Sequence, residues 1–175
     1  VNHHTQGTAA TKEITSPAGK ALPPGREVTF VVTFSIPANT SAFDISVVDT
    51  LPAGMEFVPG SSSGPNSGSP ALVDLGDPVP AVAGQVLTWF TAAVDRDVVN
   101  NTGNDVTYTI TYRAIVRSDT GLDRGDSLTN SYVFDYNVFD DDDTSRTANG
   151  SVSDTATVMS PNLQITKDIL PVVAD

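Results

Sequence analysis

The feature that most constrains the fold of this chain is a strict alternation of apolar and polar residues, repeated in several separate segments. In residues 106–116, VTYTITYRAIV, every second residue is apolar and most of the residues between are Thr. Residues 27–36, EVTFVVTFSI, alternate in the same way. Because successive side chains of a β-strand point to opposite faces, a period of two predicts strands with one face in a core.

Segments rich in Gly, Pro, Asn, Asp and Ser separate the alternating ones. We expect strands at 9–15, 27–36, 43–51, 86–91, 105–117, 127–138 and 151–159, with one more short strand after a bend near residue 53. Residues 59–70, PGSSSGPNSGSP, and residues 95–105 are predicted to be loops. Many short strands joined by turns predict an all-β fold, a two-sheet sandwich with Greek-key connections.

The composition excludes several classes of function. The 175 residues include no cysteine, so disulfides, thiolate metal sites and thiol catalysis are not available. The formal net charge of −12 argues against nucleic-acid binding, which needs a basic surface. No apolar run approaches the roughly 18 residues of a membrane span.

Three polar residues in different predicted strands are in phase with the apolar side of their strand. Lys12 alternates with Ile14, Asp49 continues an apolar series that begins at Phe43, and Asn130 alternates with the aromatic residues that follow it. Burying any one of these groups alone is costly. The pattern therefore suggests that the three side chains meet in the core.

An amine, a carboxyl group and a carboxamide that meet in a core can form an amide crosslink. Burial disfavours the charged form of Lys12 and so exposes a nucleophilic lone pair. Burial also raises the pKa of Asp49, and a protonated Asp49 can polarise the Asn130 carboxamide and shuttle a proton to departing ammonia. The hypothesis is an intramolecular Lys12–Asn130 isopeptide bond with Asp49 as the assisting acid.

Simpler roles for the same three residues remain open at this point. Lys12 could extend along a sheet edge with its amine in solvent. Asp49 could cap the turn before Leu51, and Asn130 could bond to backbone at a β-bulge.

A short sequence repeat bears on the domain organisation. AATKEI at 9–14 is echoed by QITKDI at 164–169. We expect one domain over residues 8–160. Residues 161–175 would then be a linker and the first strand of a following tandem domain, or a strand donated to a neighbouring subunit.

The order of the local patterns along the chain resembles a known family. ATKEIT is followed by PPGREVTFVVTFSIPANT, VVDTLPAGMEFV, VTYTITYRA, SLTNSYVF and DTATVMSPNLQITKDI. This order resembles the domain-of-unknown-function-11 repeats of bacterial and archaeal surface proteins and the related isopeptide-forming (D2-like) domain of Gram-positive fimbrial subunits. DTLPAG followed by Phe57 is the most specific piece.

The resemblance implies an immunoglobulin-like sandwich in an extracellular stalk, fibre or adhesin at the cell surface, with copies of the same domain as partners. It maps the crosslink lysine to Lys12, the acid to Asp49 and the asparagine to Asn130. It implies no turnover enzyme, since the self-crosslinking reaction occurs once. The alternative function is a ligand-binding adhesin module that uses the end loops to hold a carbohydrate, a host protein or another surface.

Two acidic segments are candidate calcium sites. Asp140, Asp141, Asp142 and Asp143 form the densest run, and Asp95, Asp97, Asn101 and Asp105 form a sparser one. Carboxylate and carbonyl oxygens suit Ca²⁺, but neither segment has the spacing of a known calcium loop, and a solvated acidic turn is the simpler interpretation. No other cofactor is expected.

Overall fold

The computed structural model describes residues 8–17, 21–66, 75, 79–90, 96–118, 121–123, 125–138, 140 and 150–159. This part of the chain forms eleven β-strands in two antiparallel sheets and contains no helix. Accordingly, nothing in it resembles a membrane-spanning helix. The all-β, two-sheet prediction is confirmed.

The first sheet has the strand order β1-β2-β9-β4, with β5 also paired to β9. Its strands are β1 (Ala9–Ser16), β2 (Glu27–Ile36), β4 (Met55–Phe57), β5 (Ser63–Asn66) and β9 (Val106–Val116). The central pair, β2 and β9, is in register over its full length, from Glu27 opposite Ile115 to Ile36 opposite Val106. These two neighbours are far apart in sequence, as Greek-key connections require.

The second sheet has the order β11-β10-β3-β7-β6, with β8 paired to the start of β3. Its strands are β3 (Thr40–Thr50), β6 (Ala81–Ala83), β7 (Val86–Phe90), β8 (Val98–Asn100), β10 (Ser127–Asn137) and β11 (Gly150–Met159). A single parallel bridge links Ala21 to Met159. The first sheet therefore has β1 at one edge, and in the second sheet the long strands β3 and β10 are paired with each other.

The core lies between the sheets and follows the alternation in the sequence. The inward residues of β2 and β9 are almost completely buried. Phe34 of β2 stacks on Phe134 of β10 with ring centroids 4.3 Å apart, so the aromatic contact joins the two sheets. Burial of such side chains contributes roughly 25 cal/mol per Å² of apolar surface.

The DTLPAG segment forms the tight bend between β3 and β4. The Met55 N–H donates to the Pro52 carbonyl at 2.9 Å, and the Gln85 side chain donates to that same carbonyl at 2.6 Å. A Cβ on Gly54 would lie 2.7 Å from a Leu128 methyl carbon, so only glycine fits at this position without displacing its neighbour.

The sequence prediction was wrong at three places. Phe43 does not point into the core, because Asp44 has a positive φ of 48° and shifts the phase of β3 by one residue before Ile45. Residues 59–70 are not entirely loop, since β5 pairs with the edge of β9. The predicted loop 95–105 likewise contains β8. Short edge strands such as these have too few residues to show a period of two.

The expected extent of the domain stays a prediction. The strands span residues 9–159, and the segment 161–175, which contains the QITKDI echo, lies outside the described residues.

Candidate functional site

Lys12, Asp49 and Asn130 are brought together between the two sheets. Lys12 lies on the edge strand β1 opposite Val32, whereas Asp49 lies on β3 opposite Tyr132 of β10. Asn130 lies two residues before Tyr132 on β10. All three residues are buried, and the side chains of Lys12 and Asp49 are 0% exposed. The inward orientation expected from the period of two is therefore what the structure shows.

A hydrogen-bond cluster centred on a tyrosine connects these side chains. The Lys12 Nζ donates to Asp49 Oδ2 in a fully buried ion pair. The same Nζ donates to the Tyr112 hydroxyl at 2.9 Å, and Asn130 Nδ2 donates to that hydroxyl at 2.7 Å. The Tyr112 oxygen thus lies between the amine and the carboxamide nitrogen.

Tyr112 is the site residue that the sequence prediction missed. It was expected to point inward on β9, and it does, but an inward tyrosine is ordinarily a core residue. The available signal was its polar end, since a buried hydroxyl needs a hydrogen-bond partner and the only polar residues predicted inside the core were Lys12, Asp49 and Asn130.

Aromatic rings enclose the cluster. The Lys12 Nζ lies 5.0 Å from the ring centroid of Phe30 and 5.3 Å from that of Tyr112. The Trp89 ring packs against Tyr112 at 5.3 Å, and its indole N–H donates to Ser62 Oγ at 2.9 Å. Trp89 is therefore part of the core and packs directly on the tyrosine of the polar cluster.

Burial changes the acid–base properties of the site. Loss of solvation raises the pKa of Asp49, although the Lys12 charge and nearby hydrogen-bond donors on Lys12, Tyr112 and Asn130 partly oppose this. Burial, together with the Asp49 charge, raises the pKa of Tyr112 well above its usual value and that of Tyr132 as well. Both phenols therefore keep their protons, and Asp49 holds its proton more readily than an exposed aspartate.

Two oxygens of the cluster have unused hydrogen-bonding capacity. Asp49 Oδ1 and Asn130 Oδ1 are buried and make no hydrogen bond of standard geometry to any described residue. Both are acceptors when the acid is ionised. An unsatisfied buried acceptor is costly, so these two oxygens are the least stabilised polar atoms of the cluster.

The simpler roles for the three residues do not match the structure. The Lys12 side chain is 0% exposed, so its amine is not in solvent. The pairing of β10 with β11 runs without a register shift from Ser127 to Tyr136, so Asn130 is not at a bulge between these strands. Asp49 bonds to Lys12 rather than capping a turn.

The calcium candidates remain predictions. Asp140 is exposed, and residues 141–143 lie outside the described part of the chain, as does Asp95. Asp97 and Asp105 each accept a backbone N–H, from Asp44 and Ala38 respectively. No group of three or more metal-binding side chains occurs among the residues that the structure covers.

Comparison with known sequences identifies no family, since no protein-family model and no curated protein matches the chain. The resemblance to domain-of-unknown-function-11 repeats therefore stays an interpretation of the sequence.

Solved structures do match. The major pilin subunit BcpA of Bacillus cereus superimposes with a TM-score of 0.57 at 16% identity, over 87% of this chain and 40% of that one. The Streptococcus pneumoniae pilus backbone RrgB gives 0.50 at 20% identity, over 77% and 54%. A C-terminal fragment of the major pilin GBS80 of Streptococcus agalactiae gives 0.51 at 13% identity, over 88% and 56%. The chain has a pilin-like immunoglobulin-type fold and spans less than two thirds of these pilins.

Proposed function

We propose that this chain is a structural module of an extracellular prokaryotic surface fibre or stalk, stiffened by an autocatalytic isopeptide bond between Lys12 and Asn130. The observation that carries the proposal is the burial of an amine, an acid and a carboxamide in one aromatic-lined cluster. The pilin-like fold supports the fibre role.

The position of the bond suits a load-bearing module. Lys12 belongs to an edge strand of the first sheet and Asn130 to an inner strand of the second. A covalent bond between them would join the sheets across the core and would close a loop containing most of the domain. The chain has no cysteine that could do the same.

One proton transfer within the buried ion pair gives the reactive forms of Lys12 and Asp49. Moving one proton from the Lys12 ammonium to Asp49 converts the pair to a neutral amine and a neutral acid without changing the net charge. Because burial disfavours both charges, the neutral pair is accessible in this site. The amine can then attack the Asn130 side-chain carbon while the acid proton stabilises charge that develops on Asn130 Oδ1.

The intact mass of the protein tests this function. Since amide formation expels ammonia, the folded protein should weigh about 17 Da less than its sequence. Peptide mapping should find residues 12 and 130 in one branched peptide. A properly folded sample at the full sequence mass would contradict the crosslink.

Two variants separate the reacting groups from the assisting acid. Lys12→Ala removes the nucleophile and should have its full sequence mass. Asp49→Asn keeps the size of the side chain but cannot supply the acid proton, so the bond should remain largely unformed in a folded protein. Complete crosslinking in Asp49→Asn would remove Asp49 from the mechanism.

A further inference from the structure

The inference concerns Tyr112 and rests on the crosslinking function proposed above. We propose that the Tyr112 hydroxyl is a catalytic proton relay between the two nitrogen atoms of the reaction. It would accept a proton from the attacking Lys12 Nζ and donate its own proton to the Asn130 nitrogen that leaves as ammonia.

The geometry selects Tyr112 for this role. Its hydroxyl oxygen lies 2.9 Å from Lys12 Nζ and 2.7 Å from Asn130 Nδ2. These are the nitrogen that must lose a proton and the nitrogen that must gain one. A phenol has one proton to donate and lone pairs to accept another, so one hydroxyl can serve both nitrogens.

The bond changes balance without another reactant. The Nζ lone pair bonds to the Asn130 Cγ, and the carbonyl electron pair moves to Oδ1. The Asn130 nitrogen then becomes an amine with its own lone pair, which can accept the hydroxyl proton. As Tyr112 takes the excess proton from Nζ, the Cγ–Nδ2 bond breaks, the carbonyl re-forms and ammonia departs.

Asp49 already has two other roles in this reaction. Its Oδ2 is bonded to Lys12 Nζ, and its proton is assigned to the developing charge on Asn130 Oδ1. A second group can then serve Asn130 Nδ2, and the Tyr112 hydroxyl already accepts a hydrogen bond from this nitrogen. Because burial raises the pKa of Tyr112, this hydroxyl enters the reaction with its proton in place.

Tyr132 provides a matched control. It is equally buried and close to Asp49, but its hydroxyl donates to the Thr33 carbonyl oxygen at 3.3 Å. Removing that hydroxyl takes one oxygen from the same core without touching either reacting nitrogen. Tyr132→Phe should therefore crosslink at the rate of the unsubstituted protein.

The test follows intact mass with time in freshly synthesised full-length protein, comparing the unsubstituted chain, Tyr112→Phe and Tyr132→Phe. Loss of general acid–base assistance should slow the mass loss in Tyr112→Phe by about 100-fold or more. Equal rates in Tyr112→Phe and Tyr132→Phe would overturn the relay but leave the crosslink standing. An unsubstituted protein at its full sequence mass would overturn the crosslink and the relay together.

A second measurement separates chemistry from folding. The Tyr112→Phe reaction is followed at a temperature where circular dichroism shows the variant fully folded. Slow mass loss in the folded variant is the expected result. A rate that rises to that of Tyr132→Phe once the variant is folded would show that Tyr112 acts only through stability, and would overturn the relay.

Discussion

Two asparagines in this protein are buried to the same extent but differ in the number and kind of their hydrogen-bond partners. Asn100, in β8, donates through Nδ2 to three backbone carbonyl groups at 2.9–3.0 Å. Its Oδ1 accepts from the Thr102 N–H and hydroxyl. Asn130 donates to one phenol, and its Oδ1 makes no standard hydrogen bond to any residue described. Both residues are 0% exposed.

The difference separates an amide with a structural role from the amide proposed to react. The carboxamide of Asn100 bonds to backbone groups and a hydroxyl, so it fixes the turn after β8 and faces no amine. The carboxamide of Asn130 belongs to a cluster with a lysine, an acid and a phenol. Burial alone does not predict reactivity. The useful signals are an amine within the same cluster and a carbonyl oxygen that still lacks a donor.

The largest effect is expected when Asn130 is changed. Asn130→Ala should keep its full sequence mass and lose the stability of the crosslink, about 4–5 kcal/mol for a loop of this size on the chain-entropy model of a covalent bridge. Thermal unfolding should show a decrease of roughly 10–20 °C in Tm.

The double variant Lys12→Ala/Asn130→Ala is the control for this prediction. If both single changes remove the same bond, their effects should not add, and the double variant should unfold near the temperature of either single variant. Fully additive losses would indicate two separate packing defects rather than one shared crosslink.

Asn100→Ala should have a smaller effect on stability and none on the chemistry. It leaves buried backbone carbonyls without a donor, at a cost of about 1–3 kcal/mol. Because Asn100 makes its hydrogen bonds to residues outside the cluster, the variant should still form the crosslink and weigh about 17 Da less than its own sequence. Loss of the crosslink in Asn100→Ala would show that the two asparagines are coupled.

The fold was predictable from the sequence where strands are long. β2 and β9 have ten and eleven residues, and their apolar alternation predicts their bounds and inward faces closely. It fails at Asp44, where a left-handed backbone conformation shifts the phase. It also fails for β6, which has three exposed residues and is held by pairing to β7. Such features depend on tertiary pairing, which a local pattern does not record.

The site was predictable in part for the same reason. Lys12, Asp49 and Asn130 stand out because a polar residue interrupts an apolar series. Tyr112 does not, because its ring satisfies the series and only its hydroxyl belongs to the site. The polar pair Asp44–Asn137, in which Asn137 Nδ2 donates at 2.7 Å, was missed because Asp44 is out of phase in the sequence.

The smallest predicted effect is a pH dependence that should belong to the Asn130 cluster and not to Asn100. Burial raises the pKa of Asp49 in the folded protein, and in Lys12→Ala the opposing lysine charge is also gone. The folded state then holds this proton to a higher pH than the unfolded chain, whose carboxyl titrates near the ordinary aspartate pKa of about 3.9. The contribution to stability is therefore complete below that pKa and is lost as pH rises through the raised folded-state pKa.

Urea unfolding of Lys12→Ala and Lys12→Ala/Asp49→Asn across this range isolates the effect, because the other carboxylates cancel in the difference. The difference in unfolding free energy should fall with increasing pH. Adding Asn100→Ala to both variants should leave that slope unchanged, since the groups bonded to Asn100 do not titrate. A slope that vanished with Asn100→Ala, or one that rose with pH, would mean that Asp49 is not the acid held in its protonated form beside Asn130.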